Sequence, residues 1–176
     1  MCRYLFLCGS FFFNLFLFVP AMAGELEVSL EIPRLDVAEY HRPYVAIWID
    51  GPDSSPINLA VLYQTHEDGE ESDHGEDWLK DLRQWWRRDG RNRAMPIDGV
   101  SGATRAPGKH LFIFPEGQLP LGSLKQGKYT LMVEAAREVG GRELIKIPFT
   151  WPVEKVAEHN QNGRKELGKV RLSLKP

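Results

Sequence analysis

Cysteine is nearly absent from this chain: it has 2, Cys2 and Cys8, both inside the N-terminal apolar stretch. From residue 24 onward there is no thiol for a disulfide, a thiolate metal site or cysteine catalysis, so the rest must be held by its core alone. Neither charge sign dominates. The formal net charge is −2, from 22 basic and 24 acidic residues, which excludes the broad basic field of a nucleic-acid binder. Recognised catalytic patterns are also missing. There is no G-x-S-x-G, H-E-x-x-H or phosphate-cradling loop, and His41, His110 and His159 stand alone, without a serine or carboxylate at a hydrolase spacing. Nothing in these patterns argues for an autonomous enzyme.

What is present begins with a leader. Arg3 is the only charge before Glu25, residues 4–19 are almost wholly apolar, Pro20 ends the run, and Ala21-Met22-Ala23 follows. A positive start, a short apolar core and an A-x-A site make a secretory signal peptide, with cleavage expected after Ala23. The run is shorter than the roughly 20 apolar residues a membrane span requires. Residues 24–176 are then expected as a single periplasmic domain. Losing Arg3 leaves 21 basic residues against 24 acidic, a net charge of −3.

Residues 26–32 alternate apolar and polar side chains, as a half-buried strand does. Further strands are expected at 44–50, 57–64, 110–114, 128–136, 144–149 and 170–174, separated by Gly/Pro turns. Ile57, Leu59, Val61 and Tyr63 are expected on one face of the third, and Tyr129, Leu131, Val133 and Ala135 on one face of the fifth. Gly140-Gly141 reads as a two-residue hairpin turn. About seven short strands predict an all-β, Ig-like β-sandwich. One amphipathic helix interrupts it at 77–88, with Trp78, Leu79, Leu82, Trp85 and Trp86 on one stripe and Gly90 as its stop. The acidic loop 65–77 has carboxylates and two histidines but not the ligand spacing of a calcium site, and reads first as a solvated charge run.

The most informative stretch is Asp98-Gly99-Val100-Ser101-Gly102-Ala103-Thr104-Arg105. Taken plainly it is a loop. Yet Asp98, Ser101, Gly102, Ala103 and Thr104 also complete a D-x-x-[S/T]-G-A-T pattern that resembles the site where FMN transferases of the ApbE type attach FMN to threonine. The resemblance implies a phosphoester on Thr104, made from FAD with Mg²⁺ in the transferase. A threonine hydroxyl is a poor nucleophile and needs such an outside activator. Gly102 and Ala103 keep the backbone slim beside it, with Gly102 free to bend. Asp98 would accept backbone N–H bonds or help carry Mg²⁺, and Arg105 would pair with the attached phosphate. Trp48, Trp85 and Trp86 are candidate stacking surfaces for the flavin ring.

A second resemblance covers about residues 25–151. Arg42-Pro43-Tyr44-Val45-Ala46-Ile47-Trp48-Ile49, the Trp78-Leu79 to Trp85-Trp86 stretch, the 98–108 segment and Gly127-Lys128-Tyr129-Thr130-Leu131 occur in one order. Together they look like the bacterial family catalogued as domain of unknown function 2271, a predicted periplasmic domain. That resemblance implies an Ig-like fold, and partners among FMN transferases and PepSY-type or other membrane redox proteins. Three functions follow as expectations. The first is a periplasmic flavoprotein carrying electrons. The second is a cofactor-free Ig-like binding or structural module, and the third a metal- or haem-handling protein using the acidic loop.

Overall fold

The computed structural model describes residues 24–52, 55–65 and 75–176. The expected signal peptide, positions 53 and 54 of the turn after the second strand, and residues 66–74 of the acidic loop lie outside the described residues. Among the described residues nine strands form: β1 (Glu25–Ile32), β2 (Tyr44–Asp50), β3 (Ile57–Tyr63), β4 (Ser101–Ala103), β5 (Gly108–Pro115), β6 (Gly127–Ala136), β7 (Arg142–Trp151), β8 (Ala157–Asn162) and β9 (Lys169–Lys175). They make a four-stranded sheet, β5-β1-β9-β8, and a five-stranded sheet, β4-β3-β2-β6-β7. Every pairing is antiparallel except β3 with β4. The expected all-β sandwich is what the chain forms. Tyr129, at the start of β6, donates its hydroxyl hydrogen to the Lys125 carbonyl at 2.7 Å, a tyrosine corner of the kind found in Ig-type sandwiches.

Alternation in the sequence becomes layering. Leu26, Val28, Leu30 and Ile32 point inward from β1 and meet Leu172 and Leu174 from β9, Ile47 and Ile49 from β2, and Leu131 and Val133 from β6. Each such side chain, fully buried, contributes about 1.5–3 kcal/mol. Tyr129, Leu131, Val133 and Ala135 do share this face, as expected. The outer face of the five-stranded sheet is covered as well. Ala46, Trp48, Val61, Tyr63 and Met132 pack there against Leu79, Leu82 and Trp85 in a second core. A parallel strand pair needs a crossover connection, and the chain between β3 and β4 provides it by passing over this face. That cover explains why β2 and β3 are buried on both sides.

Four details differ from the sequence reading. The third strand does not keep Ile57, Leu59, Val61 and Tyr63 on one face. Its register slips opposite Ile47/Trp48, where Ala60 and then Asn58 are paired, so Leu59 faces the inter-sheet core while Val61 and Tyr63 face the helical cover. An extra residue in one strand reverses the side-chain alternation. The 77–88 helix is two pieces: a 3₁₀ turn Gly75–Asp81 and the six-residue helix α1 (Arg83–Arg88). In a 3₁₀ helix residues i and i+3 eclipse, so Leu79 and Leu82 share the buried edge while Trp78, half exposed, leaves the stripe. Gly90 is no left-handed stop. A Cβ there would meet the Trp85 ring at 2.5 Å, so its smallness makes room for the indole.

The hairpin between β6 and β7 also differs. Gly140 N–H donates to the Arg137 carbonyl at 3.0 Å and Arg137 N–H to the Gly141 carbonyl at 3.1 Å, leaving three loop residues. The left-handed position falls on Val139 (φ 52°) and not on a glycine.

Buried polar contacts fix the cover onto the sheet. Glu134 of β6 is fully buried and accepts from the backbone N–H groups of Gln84 (3.0 and 3.1 Å) and Trp85 (2.9 Å), with the Arg142 guanidinium at 2.7 Å. It satisfies donors that the first turn of α1 cannot satisfy itself. The Trp85 indole N–H donates to Asn58 at 2.8 Å, and the Asn58 amide donates to Asp89 at 2.6 Å. On the neighbouring strand β7, Glu143 accepts four backbone N–H bonds from residues 164–167 at 2.6–3.0 Å. Burial pushes its carboxyl up, but the four donors together outweigh that and hold it below the usual value.

Candidate functional site

The Asp98–Thr104 stretch is a turn followed by an edge strand. Val100 N–H (3.1 Å) and Ser101 N–H (2.9 Å) donate to the Ile97 carbonyl, and Gly99 takes φ +68°, a left-handed conformation that suits glycine. The Ser101 hydroxyl accepts the Ile97 N–H at 2.9 Å. That side chain therefore closes the turn, the role expected of Asp98. Asp98 is exposed and, among the described residues, makes no hydrogen bond or ion pair. Ser101 also stands beside the Tyr63 phenol, whose pKa burial pushes up while the Ser101 hydroxyl acts the other way.

From Ser101 the chain runs extended along β3, with Gly102 opposite Leu62 and Ala103 opposite Tyr63. The bend expected at Gly102 is not there. A Cβ on Gly102 would meet only the Leu62 Cδ2 at 3.5 Å, an ordinary contact, so the fold does not demand glycine at this position. Thr104 follows, its N–H donating to the Tyr63 carbonyl at 3.1 Å. The main chain of Thr104 is thereby pinned while its hydroxyl makes no hydrogen bond among the described residues. Thr104 is half-buried, with Ala103 and Arg105 exposed on either side.

Ala103 and Thr104 line a cavity of about 570 Å³, within the range of small-molecule sites. The antiparallel pairing of Tyr44 with Ala136 brings the segment before β2 and the segment after β6 to the same end of the sheet. Tyr40 and Arg42 come from the first, Tyr44 from the start of β2 and Arg137 from the second, while Trp78 and Asp81 reach the cavity from the helical cover. Being three apart in a 3₁₀ turn, Trp78 and Asp81 project along one edge. Trp78 stays half exposed, with the Lys80 ammonium 5.3 Å from its ring centroid.

Two of the basic side chains around the cavity have carboxylate neighbours. Arg137 donates to Glu166 at 2.8 Å, both side chains being buried. His41 lies between Glu39 (3.0 Å) and Glu138 (3.4 Å). Arg42 and Asp81 are different: among the described residues neither has an ion-pair partner. The Tyr40 hydroxyl is shielded from water without a hydrogen bond, and burial raises its pKa, with Arg137 acting against that. An unbonded hydroxyl, an unpaired guanidinium and exposed aromatic surface together fit a planar ligand that carries hydrogen-bond acceptors.

The expected stacking tryptophans are not here. Trp48 and Trp85 are fully buried in the second core, Trp86 packs against it, and none of them lines the cavity. Tyr40, Arg42, Tyr44, Trp78, Asp81 and Arg137 were not singled out for this role from the sequence. Their signal is positional, since all but the helical pair flank strand ends that the β2–β6 register places beside Thr104. Among the described residues no group of three or more histidines, cysteines or carboxylates is placed to hold a metal ion. No helix among them is long and apolar enough to cross a membrane.

The model of the family described as "Predicted periplasmic protein (DUF2271)" matches residues 25–169, from the first strand to the start of the last. The chain belongs to the DUF2271 family. No curated protein and no solved structure matches it. For this DUF2271 protein the family description supports a periplasmic location.

Proposed function

We propose that this protein is an exported flavoprotein that carries FMN covalently on Thr104 and acts as a periplasmic electron carrier. In this reading residues 1–23 are removed as a signal peptide and residues 24–176 form the working domain. The observation that carries it is the setting of Thr104. Its backbone is fixed to Tyr63, its hydroxyl is free of hydrogen bonds among the described residues, and it lines a cavity with aromatic and cationic walls. A merely structural turn has no need of that combination.

Attachment requires Thr104 to enter a transferase of the ApbE type. The Thr104 oxygen bonds to the FMN phosphorus of FAD, the pyrophosphate bond breaks, and AMP leaves with the bonding electrons. The hydroxyl proton passes to a base on the transferase. Ala103 and Arg105 are exposed on either side of Thr104, which leaves the segment open to a second protein. Asp98, without any duty in the turn, is available to that enzyme's Mg²⁺. Arg105, next in the chain and exposed, would pair with the phosphodiester.

FMN, once bound, supplies one- and two-electron redox chemistry. The chain itself supplies the tether, the wall against which the ring is held, and the fixed charges around it. The electron partner is a PepSY-type or other membrane redox protein. Co-expression with an FMN transferase tests the reading. Wild-type protein is expected to be yellow after denaturation and Thr104→Ala colourless, and colourless wild-type protein would leave the cofactor-free module as the better account.

A further inference from the structure

The cavity beside Thr104 holds one unpaired cation, Arg42, and one unpaired carboxylate, Asp81, among the described residues, with Tyr44 and the half-exposed Trp78 between the segments that bear them. Two other side chains on its wall have carboxylate neighbours: Arg137 has Glu166, and His41 has Glu39 and Glu138. The charged recognition chemistry left over is therefore one cationic donor and one anionic acceptor beside aromatic walls. The Tyr40 hydroxyl, shielded from water and without a hydrogen bond, is a further donor awaiting an acceptor. This set complements a planar imide edge, in which a ring N–H lies between two carbonyl oxygens.

We infer that Arg42 and Asp81 recognise the imide edge of an isoalloxazine ring non-covalently: Arg42 donates to a ring carbonyl and Asp81 accepts the ring N3–H. The inference rests on the flavin reading of Thr104, but adds a binding event that does not depend on the covalent bond. It makes the cavity a specificity site for the ring, while Thr104 and Arg105 deal with the phosphate. A planar ring fits the aromatic walls through its face and the two charged side chains through its edge. The cavity of about 570 Å³ is of the size that encloses ligands of this class.

Riboflavin, which has the ring but no phosphate, isolates this step. Protein made without any transferase is titrated into riboflavin and the flavin fluorescence is followed. The account expects saturable quenching. Arg42→Gln and Asp81→Ala should each weaken binding by about tenfold, the worth of a hydrogen bond to a charged group. N3-methylriboflavin should bind the unaltered protein about tenfold more weakly than riboflavin, a comparison that needs no variant to fold. Arg91→Gln, an equally exposed arginine that does not line the cavity, should bind like wild type. Absence of riboflavin binding, or equal affinity for riboflavin and its N3-methyl form, would overturn the inference. Neither result touches the tether. Conversely, an unmodified Thr104 after co-expression with a transferase would remove the tether and leave the ring-binding result to stand on its own.

Discussion

Glu134 carries the most exposed structural bet, because a fully buried carboxylate holds the helical cover to the sheet. Replacing it with alanine leaves the N–H groups of Gln84 and Trp85 without their acceptor. Each hydrogen bond to a charged group is worth about 1.5–3 kcal/mol, and freeing the carboxylate from its buried position recovers part of that sum. Arg142 is 38% exposed and returns to water at little cost. The net expectation for Glu134→Ala is a loss of about 3 kcal/mol, or roughly 6–12 °C in Tm for a domain of this size. Glu134→Gln keeps one acceptor oxygen, so about half that loss is expected. Thermal melts followed by circular dichroism measure the loss. Limited trypsin digestion localises it, since Arg83, Arg87 and Arg88 should become early cleavage points in the alanine variant. Because the same cover carries Trp78 and Asp81 to the cavity, riboflavin affinity should fall with it. A Glu134→Ala protein melting within 2 °C of wild type, with α1 still protected (a tolerance of about half a kcal/mol), would refute the reasoning.

Other expectations are as direct. Gly102→Ala should leave stability within about 0.5 kcal/mol, since its Cβ finds ordinary space, yet impair attachment at Thr104 if the slim backbone serves the transferase; melting and flavin incorporation measured on one sample separate the two. Val139→Gly should stabilise the free protein by about 1 kcal/mol, because a β-branched residue held at φ 52° bears a left-handed penalty that glycine does not; chemical denaturation reads this. Glu143 has a depressed folded pKa, so its contribution is complete above the unfolded value of about 4.3 and is lost as pH falls through the lower, folded value. The acid limb of a stability–pH curve should therefore flatten in Glu143→Gln relative to wild type.

Much of the sandwich was legible because burial leaves a period-two imprint. Leu26 to Ile32 and Tyr129 to Ala135 each keep one apolar face, and both fell where the alternation put them. Two strands left no such imprint. Residues 157–162 are Ala-Glu-His-Asn-Gln-Asn, an edge strand held by backbone bonds to β9 and by no apolar face. Residues 101–103 form only three rungs beside β3, and small residues there look like a turn. The slip opposite Trp48, where Asn58 meets the Trp85 indole, and the 3₁₀ turn 75–81, packed through Leu79 on the second core, depend on tertiary contacts that local pattern does not encode. For the candidate site, Thr104 and its neighbours were visible as a motif. The cavity walls were not, because Arg42 is distant in sequence from Trp78 and Asp81, and they meet only where the helical cover docks beside the strand ends.

The central claim is that Thr104 bears the flavin phosphate, and peptide mass mapping reaches it most directly. Protein co-expressed with an FMN transferase is digested with trypsin, and the 94–105 peptide is fragmented. The account predicts a peptide heavier by FMN less one water, with the added mass on Thr104 and absent from Thr104→Ala. An unmodified 94–105 peptide from protein exposed to an active transferase, or a flavin mapped to another residue, would contradict it.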